Sequence, residues 1–359
     1  MLRSTLVLAL ALIAGACASP NPYYDAARRH HRPHGFNNNY VDNRLIGEGF
    51  LRWQLERAQS RLPADRAERV PRASPNLAYL QANRDDLTIT WIGHATALWQ
   101  VSGLNILTDP HFTERASPVS FAGPRRQTPP AISLNDLPRI DAVLISHNHY
   151  DHLDRDTVRA LAAQSGGPPL FVVPLGLDRW FSSEGISTVK ALDWWESVHL
   201  GSTRIHLVPA QHWSARSPFD RHETLWGGFV VSGQGKQLYY AGDTGYSQDF
   251  RDIQARFGNM DFAQLPVGCY EPRWFMGNQH VDPPEAIRIH RDVGARISMG
   301  VHWGTFRLCD DPVDAPLDLL PPALAAAGVA PGEFILPALG QTLVLQRARA
   351  YAAGGGLEP

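Results

Sequence analysis

Three histidines and two aspartates lie within eight residues of this 359-residue chain, in the segment 147–154, which reads His-Asn-His-Tyr-Asp-His-Leu-Asp. Imidazole and carboxylate groups are the usual ligands of zinc and its first-row neighbours. Five ionisable groups this close together would repel or desolvate one another without a cation. The segment therefore predicts a metal site, and this prediction restricts the folds that are open to the chain.

The sequence on either side of this segment indicates where it lies in the fold. The short apolar run Ala142-Val143-Leu144-Ile145 precedes it and predicts a buried strand. Residues 155–164 follow it, with Val158, Leu161 and Ala162 at helical spacing, and predict a helix. The cluster then occupies a strand-to-helix loop at the end of a sheet, where α/β proteins tend to build their sites.

The spacing within the cluster favours two metals over one. His147 and His149 are two residues apart and point the same way in an extended segment, whereas Asp151 and His152 follow where the chain turns. One extended pair and one turned pair can face two neighbouring points in space, which suits two metals about 3.5–4 Å apart. Four ligands are too few for two metals, so the others must come from later strand ends. Three candidates directly follow apolar strand-like segments: His212, Asp243 and His302.

Several segments of the chain, taken together, resemble the metallo-β-lactamase superfamily. They are the run from Ser146 to Asp154, Gln211-His212-Trp213, Ala241-Gly242-Asp243-Thr244-Gly245, and Val301-His302-Trp303-Gly304. Tyr150, with the stretches 270–276 and 279–283, resembles the branch that contains the N-acyl-phosphatidylethanolamine-hydrolysing phospholipase D. The similarity spans roughly residues 32–306.

The resemblance implies an α/β fold of the αββα type, a four-layer sandwich with two zinc ions per chain at one edge, other first-row divalent metals being alternatives. It assigns the metal ligands by position: His147, His149 and His212 to one zinc, Asp151, His152 and His302 to the other, and Asp243 as the bridge. It also places Tyr150 and His280 in contact with an N-acyl phospholipid substrate.

The predicted function is a phosphodiesterase of the phospholipase D type that acts on N-acyl-phosphatidylethanolamine-like lipids. A hydroxide shared by two metals would attack phosphorus, and Asp151 or Asp243 would orient that hydroxide or receive its proton. One alternative is a lactonase, or another ester or amide hydrolase, on the same metals. Another is a non-catalytic envelope binding protein, whose expected sign would be missing ligands.

Further aspartates are candidates for holding the ligating imidazoles, since metal ligands need a second layer of hydrogen bonds. Asp109, which follows the strand-like segment 104–108, is the first candidate and Asp154 the second. The alternative for Asp109 is an ordinary turn residue before Pro110. His94 has a similar strand-exit position, and we interpret it as a buried, hydrogen-bonded histidine.

The first residues of the chain predict export. An apolar run, 6–16, follows Arg3, and Ala14-Gly15-Ala16-Cys17 resembles the lipobox of bacterial lipoproteins. We therefore expect a lipoprotein of the bacterial cell envelope that faces the periplasm and meets the membrane surface through a lipid on Cys17; soluble export is the alternative. The net charge of −2 gives no indication of nucleic-acid binding. The sequence leaves the oligomeric state open.

The predicted organisation has four parts: a signal peptide (1–17), an arm with a short helix (18–80), the hydrolase domain (81–347) and a disordered tail (348–359). The short helix opens at Phe50, and we expect its Phe, Trp and Leu residues to pack on the core. Asp282-Pro283-Pro284-Glu285 predicts a helix start with a capping box. Cys269 and Cys309 are expected to be two buried free thiols, with a disulfide as the alternative.

Overall fold

Two seven-stranded sheets form the centre of the protein in a computed structural model that describes residues 20–45 and 49–346. The strands are β1 (His31–Arg32), β2 (Gly35–Phe36), β3 (Leu87–Gly93), β4 (Thr96–Val101), β5 (Leu104–Thr108), β6 (Ala142–Leu144), β7 (Leu170–Pro174), β8 (Val189–Leu192), β9 (Ser197–Leu200), β10 (Thr203–Val208), β11 (Gly228–Gly233), β12 (Lys236–Tyr240), β13 (Phe262–Pro266), β14 (Ser298–Val301), β15 (Phe334–Ile335) and β16 (Thr342–Gln346). The helices are α1 (Phe50–Gln59), α2 (Leu77–Ala82), α3 (Arg155–Ala162), α4 (Leu177–Ser183), α5 (Asp249–Phe257), α6 (Arg273–Met276), α7 (Pro283–Asp292) and α8 (Pro316–Ala327).

Each sheet combines antiparallel hairpins with a run of parallel strands. The first sheet has the order β16-β3-β4-β5-β6-β7-β8, and its strands from β5 to β8 are parallel. The second has the order β15-β14-β13-β12-β11-β10-β9, and its strands from β12 to β15 are parallel. Because parallel strands end at the same edge of a sheet, the loops that follow them lie close together.

The side chains of each strand alternate between two cores. On β4, Trp99 faces the space between the sheets, where it meets residues such as Phe262, whereas Leu98 belongs to the outer core beneath α3 and α4. Helices α5, α7 and α8 cover the other sheet with Phe250, Ile287 and neighbouring apolar residues. The layers are therefore helix, sheet, sheet and helix, and the predicted αββα sandwich is confirmed.

Helix α7 begins as its sequence predicts. The Asp282 side chain accepts a hydrogen bond from the Glu285 amide at 2.9 Å, and the Glu285 side chain accepts one from the Asp282 amide. Proline occupies the first helical position, where no amide hydrogen is needed. This confirms the capping box, which fixes the end of the loop that carries His280.

Helix α1 differs from its prediction, because only one of its large apolar side chains is buried. Trp53 stacks on Phe275 with ring centroids 4.9 Å apart, but Phe50, Leu51 and Leu55 are 52%, 78% and 64% exposed. The helix lies on the outside of the domain and contacts it along one narrow face. The expectation that its Phe and Leu residues all pack on the core is wrong.

Cys269 and Cys309 form a disulfide, so the expectation of two free thiols is also wrong. Cys269 follows β13 and Cys309 lies in the loop after β14. These strands are parallel neighbours, and their exit loops bring the two Cα atoms to 4.9 Å. This separation lies within the range that a disulfide spans.

Three of the sequence predictions fall outside the described residues: the signal peptide, Cys17 with its lipobox, and the tail 348–359. Within residues 20–45 and 49–346, no helix combines the length and the apolar character that crossing a membrane requires.

Candidate metal centre

The predicted ligands converge at one edge of the sandwich, where loops from both sheets meet. The loop between β6 and α3 supplies His147, His149, Asp151 and His152. The other three follow strands of the second sheet: His212 comes after β10, Asp243 after β12, and His302 directly after β14. All seven are buried or half-buried.

The first group is a trio of imidazoles. His147 Nε2 lies 2.8 Å from His149 Nδ1, and His212 Nε2 lies 3.3 Å from the same atom. The nearer oxygen of Asp243, Oδ2, is 4.0 Å from His147 Nε2 and 3.9 Å from His212 Nε2. One face of the trio is therefore directed at the Asp243 carboxylate.

The second group lies on the other side of Asp243. Asp151 Oδ2 is 3.0 Å from His152 Nε2 and 3.2 Å from His302 Nε2. Asp243 contacts both imidazoles, through Oδ2 to His152 Nε2 at 3.1 Å and through Oδ1 to His302 Nε2 at 3.2 Å. The structure thus brings together all seven residues in the predicted grouping, with Asp243 between the two groups.

These distances fit metal ligation. A tetrahedral zinc with bonds of 2.0–2.1 Å needs ligand atoms about 3.3 Å apart, close to the separations found within each group. Asp243 Oδ1 is buried and makes no hydrogen bond in the described part of the chain, although His302 Nε2 lies 3.2 Å from it. A buried carboxylate oxygen without a partner is costly, and a cation beside it would satisfy it.

The electrostatics differ between the two groups. At the second group, burial alone would lower the pKa of His152 and of His302. The facing Asp151 and Asp243 carboxylates instead raise the pKa of His302 to about 9 and that of His152 well above its usual value. A cation that binds there must therefore displace these protons.

At the first group the ligating forms are favoured. Burial lowers the pKa of His149 and of His212 to about 3, which keeps these imidazoles neutral with a free lone pair. Burial alone would raise the pKa of Asp243, but the facing imidazoles of His152 and His302 hold it well below its usual value. Neutral imidazole and ionised carboxylate are the forms that bind zinc.

Asp109 lies beneath the second group and contacts one of its imidazoles. Its Oδ2 is 2.6 Å from His152 Nδ1 and accepts hydrogen bonds from the hydroxyls of Ser146 and Tyr240, each at 2.5 Å. Its Oδ1 accepts from the Ser146 amide at 2.7 Å. Because a carboxylate only accepts, it directs His152 Nδ1 to donate and leaves Nε2 for a metal.

Asp154, the second candidate for this role, has different partners. It accepts hydrogen bonds from the amides of Phe112 and Thr113 and from the Thr157 hydroxyl, at 3.1, 3.0 and 2.6 Å. Its nearest imidazole is that of His111, at 3.7 Å. Asp154 lies at the start of α3, and its carboxylate holds the loop after β5.

The two residues expected to contact substrate lie beside the centre. His280 is buried, with Nδ1 3.8 Å from Asp243 Oδ2. Tyr150 is half-buried, donates a hydrogen bond to the Arg216 carbonyl at 2.9 Å, and stacks against the Arg216 guanidinium. It lines a cavity of about 490 Å³ with Trp180 and Arg216, and His280 is not among the residues that line this cavity.

His94 takes a larger part in the centre than its sequence indicated. Its Nε2 lies 2.9 Å from Asp151 Oδ2, and its ring packs on that of His302 with centroids 4.2 Å apart. The imidazole is buried and hydrogen-bonded, as expected, but its partner is a candidate ligand. The sequence feature that could have indicated this role is its position at a strand exit, which it shares with the other site residues.

Comparison with known proteins identifies the family. The family model described as "Beta-lactamase superfamily domain" matches residues 104–303, and the chain belongs to this superfamily. This confirms the superfamily, and similarity to N-acyl-phosphatidylethanolamine-hydrolyzing phospholipases D supports the predicted branch. The chain spans less than two thirds of the length of these phospholipases.

Two relatives are similar to the chain in sequence, and one solved structure is similar in fold. The chain is 44% identical over 230 residues to N-acyl-phosphatidylethanolamine-hydrolyzing phospholipase D 1 of Caenorhabditis elegans, a match that covers 61% of this chain and 64% of the worm protein. It is 42% identical over 263 residues to an uncharacterized protein of Mycobacterium tuberculosis, covering 72% and 68%. The structure of an isothiocyanate hydrolase from Delia radicum gut bacteria has a TM-score of 0.58 at 21% identity, covering 73% of this chain and all of that one.

Proposed function

We propose that this protein is a metal-dependent phosphodiesterase of the phospholipase D type, with two zinc ions, that acts on N-acyl-phosphatidylethanolamine-like lipids. The observation that carries the proposal is the position of Asp243, whose two carboxylate oxygens contact His302 and His152 while its open side is directed at the trio of His147, His149 and His212. The similarity to the worm enzyme supports the substrate class.

The residues of the site have distinct roles in this proposal. His147, His149 and His212 would hold one cation, Asp151, His152 and His302 the other, and Asp243 both. When bound, two such cations lower the pKa of water toward about 7 and neutralise charge on phosphoryl oxygens. We assign to Asp151 or Asp243 the orientation of the attacking water and the acceptance of its proton at a carboxylate oxygen.

His280 and Tyr150 would bind the lipid. His280 Nδ1 is buried without a hydrogen-bond partner in the described part of the chain and lies near Asp243, where it can donate to a phosphoryl oxygen. The Tyr150 ring borders a cavity that none of the seven candidate ligands lines, on the same loop as His149 and Asp151. Trp180 and Val119 add apolar surface to a wall otherwise formed mainly by charged residues such as Arg155 and Glu184, which suits a substrate with both polar and apolar portions.

The test combines metal analysis with a substrate panel on the purified protein. We expect about two zinc ions per chain and hydrolysis of N-acyl-phosphatidylethanolamine to a phosphatidic acid. His149→Ala should lose activity and bound zinc, whereas His199→Ala, an exposed histidine on β9, should keep both. Hydrolysis of a lactone but not of the phosphodiester would favour the lactonase instead. Zinc-free protein without either activity would favour a binding protein.

We also propose that the protein is a lipoprotein of the bacterial envelope, attached through Cys17. The support is the apolar run 6–16 followed by the small residues before Cys17. Expression of the full chain in a bacterial host should give membrane-bound protein that detergent extracts, and Cys17→Ser should abolish lipidation as measured by mass spectrometry. Unmodified Cys17 in the mature wild-type protein would refute the anchor.

A further inference from the structure

The N-terminal arm, residues 20–45, reaches the metal centre through one buried side chain. Asn38 Oδ1 accepts a hydrogen bond from the His212 amide at 3.0 Å, and Asn38 Nδ2 donates one to the His212 carbonyl at 2.9 Å. The side-chain amide therefore pairs with both main-chain groups of a candidate ligand, as a neighbouring strand would. Asn38 is 6% exposed, so water cannot easily replace either bond.

This contact lies beyond the sheet, one residue after the isolated bridge between Gln211 and Gly245. His212 lies four residues beyond the end of β10, in a loop. Its ring is oriented by Nδ1, which is 2.9 Å from the Gln279 carbonyl, so that Nε2 faces the trio. Asn38 holds both main-chain groups of His212 itself and Gln279 holds its ring, so both contribute to the position of Nε2.

Asn38 is itself held in place. Asn43 Oδ1 accepts from both the Asn38 amide at 3.0 Å and the Asn38 side chain at 2.8 Å, and Asn43 Nδ2 donates to the Phe36 carbonyl at 2.9 Å. The Trp226 indole also donates to Asn38 Oδ1, at 3.2 Å. The side-chain amide of Asn38 therefore has partners on both of its polar atoms within a closed network.

The arm is anchored to the domain upstream of Asn38. His30 Nε2 and His31 Nε2 each contact one oxygen of the buried Asp193, at 2.6 and 2.8 Å, and Arg28 contacts the same carboxylate. The Asp193 carboxylate also accepts from the Trp194 amide at 2.7 Å. Because the arm is anchored in this way, Asn38 has a defined position and can hold the His212 main chain in place.

We propose that Asn38 is a positioning residue for His212, and that the arm is part of the metal centre although it lies outside residues 104–303, which the family model matches. The inference rests on the proposed metal centre. It predicts that the arm contributes to metal affinity without touching the metal, as hydrogen-bond partners of ligands do elsewhere.

The test uses Asn38→Ala with Asn39→Ala as its matched control. Asn39 is the next arm residue and donates to Asp249 at 2.7 Å, a bond comparable in length but directed away from the ligands. The full-length proteins are compared by zinc competition with a chelator. Asn38→Ala should weaken one of two zinc affinities by about tenfold or more, and Asn39→Ala should leave both within about twofold.

A second measurement does not depend on zinc. In metal-free protein, the His212 amide should exchange its hydrogen faster in Asn38→Ala than in wild type or in Asn39→Ala, because its acceptor is gone. If Asn38→Ala does not fold, Asn43→Ala replaces it in the same measurements. This variant removes the hydrogen bonds that hold Asn38, so it should weaken zinc affinity in the same direction but by less.

The outcomes separate the two proposals. Wild-type protein that binds no zinc refutes the metal centre and this role with it. Wild-type protein that binds two zinc ions, with Asn38→Ala and Asn43→Ala binding both as tightly, refutes the positioning role alone. An equal loss of zinc affinity in Asn39→Ala would also refute it, because the effect would then come from general destabilisation of the arm.

Discussion

Replacing Asp109 with asparagine should separate the support of the metal centre from the stability of the fold. Asp109 is fully buried and accepts four hydrogen bonds: from the Ser146 amide, from the hydroxyls of Ser146 and Tyr240, and from His152 Nδ1. Asparagine has nearly the same shape, and we expect its oxygen to stay at the Ser146 amide because that main-chain group can only donate, whereas the two hydroxyls can reverse their hydrogen bonds. Its NH₂ group then stands where Oδ2 accepted the other three.

The consequences differ among those three partners. The hydroxyls of Ser146 and Tyr240 can rotate and accept from the new NH₂ group. His152 Nδ1–H cannot, and a buried donor left without an acceptor costs about 1–3 kcal/mol. The imidazole can avoid that cost by moving its proton to Nε2, but Nε2 then has no lone pair for a metal. We therefore expect zinc affinity at the second group to fall by about 10–100-fold.

The assay is chelator competition for zinc, together with urea unfolding of the metal-free protein. Asp154→Asn is the matched control, because Asp154 is also buried and accepts three hydrogen bonds, from Phe112, Thr113 and Thr157. All three bonds go to Asp154 Oδ2, where the asparagine oxygen can stand, so this variant should keep its zinc affinity and lose little stability. The reasoning is refuted if Asp109→Asn binds zinc as wild type does, or if Asp154→Asn loses as much affinity.

Three further predictions follow from contacts elsewhere in the molecule. The double variant Cys269→Ala, Cys309→Ala should unfold about 4 kcal/mol more easily in urea, because the disulfide closes a loop over a sequence separation of 40; wild type in reductant should show the same loss. Burial raises the pKa of Asp249 to about 6, so the folded state retains a proton that the unfolded state has lost, and stability falls as pH rises from about 4 to about 6. Asp249→Asn should remove up to about 3 kcal/mol of that fall, measured as the difference in unfolding free energy between pH 4 and pH 7. Tyr150→Ala should raise KM for the lipid about tenfold with zinc content unchanged, and an unchanged KM would place the substrate elsewhere.

The fold and the convergence of the seven candidate ligands could be predicted because each signal is local. His212, Asp243 and His302 each follow an apolar strand, and strands that end at one edge bring such residues together. The αββα architecture came from the resemblance of motifs spread along the chain. The order of the strands, which decides the neighbours of each loop, is not visible in any single segment.

The contacts that the sequence did not reveal are those between segments far apart. Cys269 and Cys309 pair because β13 and β14 are neighbours, and the sequence around either cysteine does not indicate its partner. Asn38 lies 174 residues from His212, in an arm without apolar periodicity, where asparagine is also typical of turns. For α1, the pattern of Phe50 and Leu51 is compatible with burial or exposure, and only the tertiary position decides.

Backbone conformation carries a signal that composition does not. His94, Asp109 and His302 have positive φ values of 51°, 32° and 63°, in the left-handed region that disfavours residues with a Cβ atom. Glycine would be the easier choice at each of these strand exits, at about 1 kcal/mol less strain. The strain is explained if the side chain itself is required there: Asp109 for the contact with His152, His302 for the contacts with Asp151 and Asp243, and His94 for the contact with Asp151. By this reasoning His94 belongs with the other two, as a residue retained for its side chain at the centre rather than for packing.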